Sequence, residues 1–562
     1  MAQKLTTRLT ALCMLATSAT AYQWPSPEFD AVEGLLYEFE PEPPGFGSLH
    51  LTLRGCVPQN NESTAAEWLH FAYHDMATHN IDDGTGGLDA SLYYELDRAE
   101  NVGSGMTVTL FDFVDFPTKY ISKSDIIAVG TVLAVAECGG PSIPFRMGRV
   151  DSFIAGPSGV PEPQQDLATH TEIFRKQGFS QSEMIGLVAC GHTLGGVRFP
   201  DFPDIIDSPP DGSQLIETFD TNPGFDNSII TQYLDGTTQN PLVVSANTTN
   251  LSDLRIFSSD NNLTMEGMAS PTAFNNTCRD LLERMINTVP KDVVLSDLVQ
   301  FVPAKVASVQ LSVRNGTLNL KAMLRIYLIA LNGESCQDGD YALGESYKGI
   351  LRPQCLLCFI SELTRRMGLS PQKYYFDTPI NADASISKFW FEVDEHDGSG
   401  PAVLDNEGTG STFNEINFSY DIVVAVGSFE HGSNLSDELM PTVTQVRNDT
   451  LPSRVYANAM WRVTPLPEDA TVEFVPASSI APTAGYTFYH AQIPGPHANF
   501  QFDLFSTVGG ITYSEDARDS RYVTGLNNTV PSKRALKKRL ERETLRRELR
   551  ERRAESKLRR YH

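Results

Sequence analysis

The segment from Ala65 to Ser91, AAEWLHFAYHDMATHNIDDGTGGLDAS, constrains the fold of this chain more than any other stretch. Its first half carries apolar residues at helical spacing, which predicts a helix with His70 and His74 on one face. Asp75 follows at once, and after a polar loop comes an oxygen-rich turn with the pattern Gly-x-Asp-x-Ser. Carboxylates, hydroxyls and backbone carbonyls are the ligands that calcium prefers. The segment therefore predicts a reactive imidazole held next to a calcium site.

This order of residues resembles the distal side of the plant, fungal and bacterial haem peroxidase superfamily, whose pattern is Arg-x-x-Phe/Trp-His-Asp followed by Gly-x-Asp-x-Ser. The resemblance implies that His74 is the catalytic distal histidine. Tyr73 stands in place of the family's aromatic residue beside the haem, and His70 stands where the family has its catalytic arginine. The implied ligands of the distal calcium are Asp75, Gly87, Asp89 and Ser91.

The segment SQSEMIGLVACGHTLG, residues 180–195, is the second anchor of the resemblance. A serine near its start, Ser180 or Ser182, can cap a helix that delivers His192. The resemblance implies that this is the proximal helix and that His192 is the axial ligand of the haem iron. The implied ligands of a second, proximal calcium are Thr193, Asp220, Asn222 and Asp226.

Two further residues are implied to orient these histidines. Asn101, in a glycine-rich turn, is expected to hydrogen-bond the distal histidine and to fix which ring nitrogen acts as the base. A haem-ligating histidine also needs an acceptor for its other nitrogen. The family uses an aspartate six residues beyond a Ser-Asp pair, and counting from Asp260 gives Glu266 as the expected acceptor.

The ordered occurrence of these motifs over residues 50–300 implies a mainly α haem peroxidase domain, similar to the secreted fungal class II peroxidases, with haem b and two calcium ions. From about Tyr374, short β-branched and aromatic runs separated by turn residues predict an antiparallel β-sandwich. The predicted division is a signal peptide at 1–21, a peroxidase-like domain at 22–368, a β-rich accessory domain at 369–520 and a basic tail, helical or disordered, at 530–562. The accessory domain is expected to brace the enzyme or to contact a surface or carbohydrate.

The N-terminus predicts export, because two basic residues precede a short apolar segment and an Ala-Thr-Ala sequence that ends before Tyr22. That segment is too short to span a membrane, and no later stretch is long and apolar enough to do so. Ten Asn-x-Ser/Thr sequons and seven cysteines outside the signal fit a secreted, disulfide-bonded glycoprotein. The resemblance implies a Cys56–Cys138 disulfide, and Cys190, in an apolar helix, is expected to be free. A net charge of −26 argues against nucleic acid as a partner.

The expected activity is the reduction of hydrogen peroxide coupled to one-electron oxidation of small phenolic donors. The family's manganese site needs three carboxylates, and here Glu67 supplies one while Ser63 and Arg198 occupy the other positions. Leu187 occupies the position of the surface tryptophan that the family uses on lignin-type substrates. The sequence therefore indicates neither manganese oxidation nor oxidation of lignin-type substrates. Because imidazole has a pKa near about 6.5, His70 predicts slow peroxide activation that improves toward acid pH.

Two other functions are compatible with the same residues. The chain could bind haem without appreciable turnover and act as a sensor, a sink or a surface-binding module, since the arginine is missing. Alternatively, His70 and His74, with Asp75 and His79 nearby, could bind zinc or copper without haem, although that leaves His192 unexplained.

Overall fold

This computed structural model of the protein describes residues 26–38, 49–53, 55–58, 63–114, 116–206, 215–314, 317–329, 361–381, 388–389, 391–393, 402–404, 416–417, 422–423, 439–447, 452–461, 468–476, 486–494, 500–508 and 510–519. The predicted signal peptide and basic tail lie outside these residues. Within them, no helix combines the length and the apolar character needed to cross a membrane.

The described chain up to residue 286 is mainly helical, with one short two-stranded antiparallel sheet. Its elements are α1 (Pro27–Tyr37), α2 (Leu49–Thr52), α3 (Thr64–Met76), α4 (Ser104–Phe113), α5 (Lys123–Glu137), α6 (Leu167–Lys176), α7 (Gln181–His192), β1 (Gly196–Arg198), β2 (Ile216–Thr218), α8 (Ser228–Asp235), α9 (Pro241–Val244), α10 (Ser252–Phe257), α11 (Leu263–Gly267) and α12 (Pro271–Ile286).

Helix α3, which carries the first histidine segment, packs against α5 in the centre of the core. All residues of α5 from Ser124 to Ala136 are buried, as its apolar sequence predicts. Gly130 of α5 makes room for the Phe113 side chain of α4, because a methyl group at Gly130 would overlap that ring. The buried Trp68 side chain donates from its indole nitrogen to Asp112 at 2.9 Å. This packing fixes the axial position of α3 and therefore of its histidines.

Helix α7, which carries the second histidine segment, begins with a capping box. The Ser180 hydroxyl accepts a hydrogen bond from the Glu183 backbone nitrogen, and the Glu183 carboxylate accepts one from the Ser180 backbone nitrogen at 2.8 Å. These two bonds satisfy backbone donors that a helix start leaves without partners. The helix packs against α12, and its last residue is His192.

The two disulfides among the described residues give one confirmation and one correction. Cys56 and Cys138 are bonded, which confirms the pairing implied by the resemblance. Cys190, expected to be free, is bonded to Cys278 with a Cα–Cα distance of 5.4 Å. The expectation was wrong because α7 and α12 pack side by side and bring these two buried positions together, and a sequence separation of 88 gives no local sign of it.

The region after residue 300 is built mainly of antiparallel strands. Its elements are β3 (Ala304–Arg314), β4 (Thr317–Ile329), α13 (Glu362–Arg366), β5 (Leu369–Ile380), β6 (Lys388–Phe389), β7 (Phe391–Val393), β8 (Ala402–Leu404), β9 (Ile416–Asn417), β10 (Ile422–Val423), β11 (Leu439–Arg447), β12 (Arg454–Trp461), β13 (Glu468–Glu473), β14 (Val475–Pro476), β15 (Tyr486–Pro494), β16 (Phe500–Val508) and β17 (Ile511–Asp519).

Strands β3, β4 and β5 form one sheet in that order, with Leu324 opposite Tyr374. Two four-stranded sheets follow, with the orders β10-β11-β15-β14 and β13-β12-β16-β17. The strands therefore begin at Ala304, earlier than the sequence indicated, and the boundary predicted at 368 lies between the paired strands β4 and β5. The usable signal for β3 and β4 was the Asn315-Gly316 pair between two runs of alternating apolar residues, which is typical of a β-hairpin.

A buried set of charges joins α1 to the first of these sheets. We call Glu33, Glu38, Lys305 and Arg325 the α1 ion cluster. The Arg325 guanidinium donates to both carboxylate oxygens of Glu33, at 2.8 and 2.9 Å, and to Glu38 at 2.6 Å. Lys305 donates to Glu33 at 2.7 Å. All four residues are at least nine-tenths buried, so α1 is tied to β3 and β4 by ion pairs shielded from water.

Candidate active site

A cavity of about 690 Å³ lies between α3 and α7 and brings the two histidine segments together. His70 and His74 line it from α3, and His192 lines it from α7. Apolar side chains, among them Phe174, Leu187 and Met285, cover much of the remaining wall. A mostly apolar cavity of this size with a few convergent polar groups is typical of a cofactor site.

His74 and Asn101 form a buried pair on the α3 side of the cavity. The His74 Nδ1 lies 2.8 Å from the Asn101 Oδ1, and the Asn101 Nδ2 donates to the Glu95 carbonyl at 2.9 Å. The second bond orients the amide so that its oxygen faces the ring, and His74 Nδ1 therefore carries the proton. Burial lowers the pKa of His74 to about 4, although the bond to Asn101 acts in the opposite direction. His74 is thus a neutral imidazole with Nε2 available as a base at ordinary pH.

His70 lies one helical turn before His74, and its ring meets the His74 ring edge to face with centroids 4.2 Å apart. Its side chain is exposed, but only toward a cavity that protein encloses. Loss of hydration there, together with the neighbouring His74 and His192, lowers the pKa of His70 well below its usual value near 6.5. The expectation that His70 gains a charge near pH 6.5 is therefore corrected, because that expectation assumed a hydrated imidazole.

Tyr73 lines the same cavity and donates from its hydroxyl to the Gln177 Oε1 at 3.3 Å. Its ring stacks on Phe174, with centroids 6.0 Å apart. Burial raises the pKa of Tyr73 far above its usual value, so the side chain stays a neutral phenol. The structure thus places Tyr73 at the wall of the cavity, where the resemblance put it.

On the α7 side, His192 Nδ1 lies 2.8 Å from the Asp253 Oδ2. The Asp253 side chain is almost fully buried, and the same oxygen accepts a second hydrogen bond from Asn240 Nδ2 at 2.7 Å. The imidazole stacks on Phe219 with its centroid 4.3 Å from that ring. Because Nδ1 is engaged by a carboxylate, Nε2 is the ring nitrogen left available for a ligand.

The acceptor expected from the sequence, Glu266, is wrong. Glu266 is exposed on α11, and Asp253 makes the contact instead. Two Ser-Asp pairs lie close together in this stretch, Ser252-Asp253 and Ser259-Asp260, and Glu266 stands six residues beyond the second of them. The usable signal was the first pair, whose aspartate lies in the first turn of α10.

The residues implied for a distal calcium lie together behind His74. Both carboxylate oxygens of Asp75 already accept backbone hydrogen bonds, from Ala90 at 2.8 Å and from Leu92 at 2.9 Å. Asp89 accepts one from the Ser91 backbone nitrogen at 3.0 Å. Burial, with the neighbouring Asp89, raises the pKa of Asp75 well above its usual value. The Gly87 carbonyl faces the Thr78 hydroxyl at 3.5 Å.

The residues implied for a proximal calcium also come together, beside His192. The Thr193 hydroxyl donates to the Asp226 carbonyl at 2.6 Å, and Asn222 donates from its side chain to the Asp226 carboxylate. The Asp220 Oδ1 accepts from the Asn222 backbone at 2.8 Å, while its buried Oδ2 has no well-formed hydrogen bond to any described residue. Burial raises the pKa of Asp220 to about 7.

Across the described ranges, no three His, Cys, Asp or Glu side chains are arranged to hold a metal ion. The zinc or copper interpretation of His70, His74, Asp75 and His79 therefore gains no support. The haem interpretation fits better, because a base and a ligand, each held by its own partner, line one largely apolar cavity.

Comparison with known proteins agrees with this geometry. The peroxidase family model matches residues 54–284, which include both histidines and their partners. A WSC domain-containing protein of Arthroderma benhamiae is 29% identical over 483 residues, covering 81% of this chain and 61% of the relative. The putative L-ascorbate peroxidase 6 of Arabidopsis thaliana is 36% identical over 148 residues, covering 26% of this chain and 44% of the relative.

The mitochondrial cytochrome c peroxidase of Cryptococcus neoformans is 34% identical over 139 residues, covering 24% of this chain and 37% of that protein. The chain thus spans between about two fifths and three fifths of the length of these relatives. Together, the family match over residues 54–284 and the two named peroxidases support the assignment of this region to the haem peroxidase superfamily.

Proposed function

We propose that this protein is a haem peroxidase that reduces hydrogen peroxide and oxidises small phenolic donors by one-electron steps. The observation that carries the proposal is the pair of oriented imidazoles on one cavity, His74 held by Asn101 and His192 held by Asp253. When bound, haem would supply the redox chemistry, in which peroxide takes up two electrons and donors replace them one at a time.

The roles of the chain's own residues follow from their protonation. His192 Nε2 would hold the haem iron, and the buried Asp253 carboxylate increases the electron donation of that imidazole. His74 Nε2 accepts a proton from peroxide and then returns it to the departing oxygen. Asn101 keeps the proton of the resting imidazole on Nδ1, so that Nε2 is the nitrogen that reacts.

The test is to express the full chain with haem, to record its absorption spectrum and then to add hydrogen peroxide with a phenolic dye. A Soret band that shifts with peroxide, accompanied by dye oxidation, is the expected result. A Soret band that peroxide only bleaches would favour a second function, that of a haem-binding protein without turnover. The neutral His70 in place of an arginine is the observation that favours this second function.

Replacing His70 with arginine should accelerate the reaction with peroxide by roughly 10²-fold, the size of effect seen when a fixed donor for developing negative charge is gained or lost. Arginine stays charged at every working pH and offers several donors, whereas His70, which faces the cavity, is neutral. The measurement is the second-order rate constant with hydrogen peroxide, by stopped flow. The control is His70→Gln, which adds no charge and should give no gain; an unchanged rate in His70→Arg would contradict the assignment.

We also propose that calcium binds the proximal loop, where the buried Asp220 Oδ2 lies without a well-formed partner. Chelation should then lower the melting temperature, since calcium at 100 times its Kd stabilises a folded protein by about 2.7 kcal/mol. The Asp220→Asn variant should lose this sensitivity, while Asp89→Asn, on the distal loop, should keep it. Equal melting temperatures of the natural protein with calcium and with chelator would refute the proposal.

The remaining features of the proposal concern location and the strand-rich region. We propose that the protein is secreted and glycosylated, which the N-terminal pattern, the sequons and the two disulfides support. The strand-rich region is proposed to be a β-sandwich that braces the peroxidase domain. A contact that supports this role is the ion pair between Lys119, in the peroxidase domain, and Asp503 on β16.

A further inference from the structure

The wall of the cavity is strongly unbalanced in charge. Five acidic side chains line it apart from the Asp253 that His192 engages, namely Glu67, Glu100, Glu162, Asp201 and Asp204. Among the described residues around the cavity, Arg198 is the single arginine or lysine. Its guanidinium lies 3.7 Å from the Asp201 carboxylate and donates to the Ser104 hydroxyl, so its positive charge is largely offset.

Three histidines on this wall, His70, His74 and His170, add no positive charge. His170 is buried, its Nε2 lies 2.9 Å from the Glu162 carbonyl, and burial lowers its pKa. His70 and His74 are neutral for the same reason. Glu100 also lies 3.6 Å from the Arg98 guanidinium, which Glu95 engages more closely at 3.1 Å. The carboxylates therefore outnumber the positive charges on this wall and next to it.

Most of these acids lie where the cavity opens to solvent. Glu100 and Glu162 belong to loops that include the exposed Val102 and Gln164, and Asp204 is itself exposed beside the exposed Pro203. We call Glu100, Glu162, Asp201 and Asp204 the acidic mouth. Much of the remaining lining is apolar, so the cavity offers a donor carboxylates at its exposed side together with an apolar wall for its ring.

A cleft lined by charge of one sign between walls of low dielectric raises the local concentration of ions of the opposite sign. The chain's net charge of −26 adds to this field, and haem brings two carboxylate side chains of its own. An anionic donor must therefore enter against repulsion from the mouth, from the whole body and from the cofactor. A cationic donor of the same shape meets attraction from all three.

We propose that the acidic mouth selects cationic aromatic donors and disfavours anionic ones, ascorbate included. This inference rests on the proposed peroxidase function and names the donor class of that site. The proposed donor class differs from the substrate given in the names of several relatives, which are called L-ascorbate peroxidases. The chemistry balances when two donors each lose one electron and two protons join the peroxide oxygens to give two water molecules.

The experiment uses two phenols that share a ring and differ in charge, tyramine as the cation and 4-hydroxyphenylacetate as the anion. Equilibrium binding of each to the haem-loaded full chain is measured by titration without peroxide, at low and at high ionic strength. Tyramine should bind roughly 10-fold more tightly at low ionic strength, and the difference should shrink as salt screens the mouth. Equal affinities, or tighter binding of 4-hydroxyphenylacetate, would overturn the proposal.

Two variants test whether the acidic mouth causes the preference for tyramine. The double variant Glu162→Gln/Asp204→Asn keeps the shapes of the side chains and removes two charges, so it should reduce the preference for tyramine by at least about 3-fold. The control Asp292→Asn removes an exposed charge away from the cavity and should leave the preference unchanged. If both variants behave alike, the net charge of the chain, not the mouth, sets the preference, and the assignment to these residues is wrong.

Turnover with peroxide separates this proposal from the function on which it rests. If tyramine binds preferentially but neither phenol is oxidised, charge selection stands and the peroxidase function fails. If both phenols are oxidised but 4-hydroxyphenylacetate or ascorbate has the higher kcat/KM, the peroxidase function stands and the selection fails. A kcat/KM ratio that favours tyramine and falls with ionic strength supports both.

Discussion

Replacing His74 with leucine should slow the reaction of the haem-loaded protein with hydrogen peroxide by about 10²- to 10⁴-fold, the usual contribution of a positioned general acid and base. The structure gives a specific reason for this loss. His74 has the engaged Nδ1 and the oriented amide partner, whereas His70 has neither contact among the described residues. The measurement is the stopped-flow rate constant for the first absorbance change after mixing with peroxide, and His70→Leu is the matched control.

The same residue sets the pH dependence. Because burial lowers the pKa of His74 to about 4, the ring is protonated and inactive as a base only below that pH. The rate should therefore rise as pH increases through about 4 and stay level from about pH 5 to 7, and the His74→Leu variant should lack this step. This is opposite in sign to the acid enhancement expected from the sequence, since His70 remains neutral over the same range.

Two outcomes would contradict this account of the α3 side of the cavity. A rate that increases steadily from pH 7 to 5 would mean that His70 becomes charged in the cavity. A His74→Leu variant as fast as the natural protein would mean that another group moves the proton. Circular dichroism at each pH separates these outcomes from loss of the helical fold.

Replacing Arg325 with methionine should lower the free energy of unfolding by about 3–5 kcal/mol, the usual cost of removing one partner of a buried ion pair. The guanidinium is fully buried and donates to Glu33, Glu38 and the Val302 carbonyl. Its removal leaves two buried carboxylates whose remaining partners are Lys305, Lys373 and the Val302 backbone nitrogen. Urea denaturation, followed by the loss of helical circular dichroism, measures the difference.

The milder Arg325→Lys variant keeps the charge but cannot span both oxygens of Glu33, so it should fall between the natural protein and Arg325→Met. The matched control is Arg175→Met, which removes an exposed guanidinium paired with Asp82 and Glu172 and should change the unfolding curve little. If Arg325→Met unfolds like the control, the α1 ion cluster does not hold α1 to the sheet.

The positions of His70, His74 and His192 could be predicted from the sequence because the signals that mark their helices are local. The helical periodicity places His70 and His74 on one face, and the serine caps mark where the segment with His192 begins. The contact between His74 and Asn101, which the resemblance implied, is also present. What the sequence could not supply is which distant segments meet.

The partner of His192 is an example of a contact that local sequence could not identify. Asp253 lies 61 positions further along the chain, and two Ser-Asp pairs compete for the role, so choosing between them requires the packing of α10 against α7. The disulfide from Cys190 depends in the same way on the packing of α7 against α12. The pKa of His70 is lowered mainly because the cavity walls remove water from its ring, and the sequence of α3 alone does not show that those walls are there.

The α1 ion cluster also fixes how much chain a functional fragment must contain. A fragment cut to the family match at 54–284 would lack Glu33 and Glu38 together with the apolar residues Val32 and Leu36, which are fully buried in the same core as α3 and α5. It would lose Lys305 and Arg325 at the other end as well. The smallest unit expected to fold with its haem cavity intact therefore runs from Ser26 to Asn381, well beyond what the family pattern covers, and shorter expression products should be aggregation-prone.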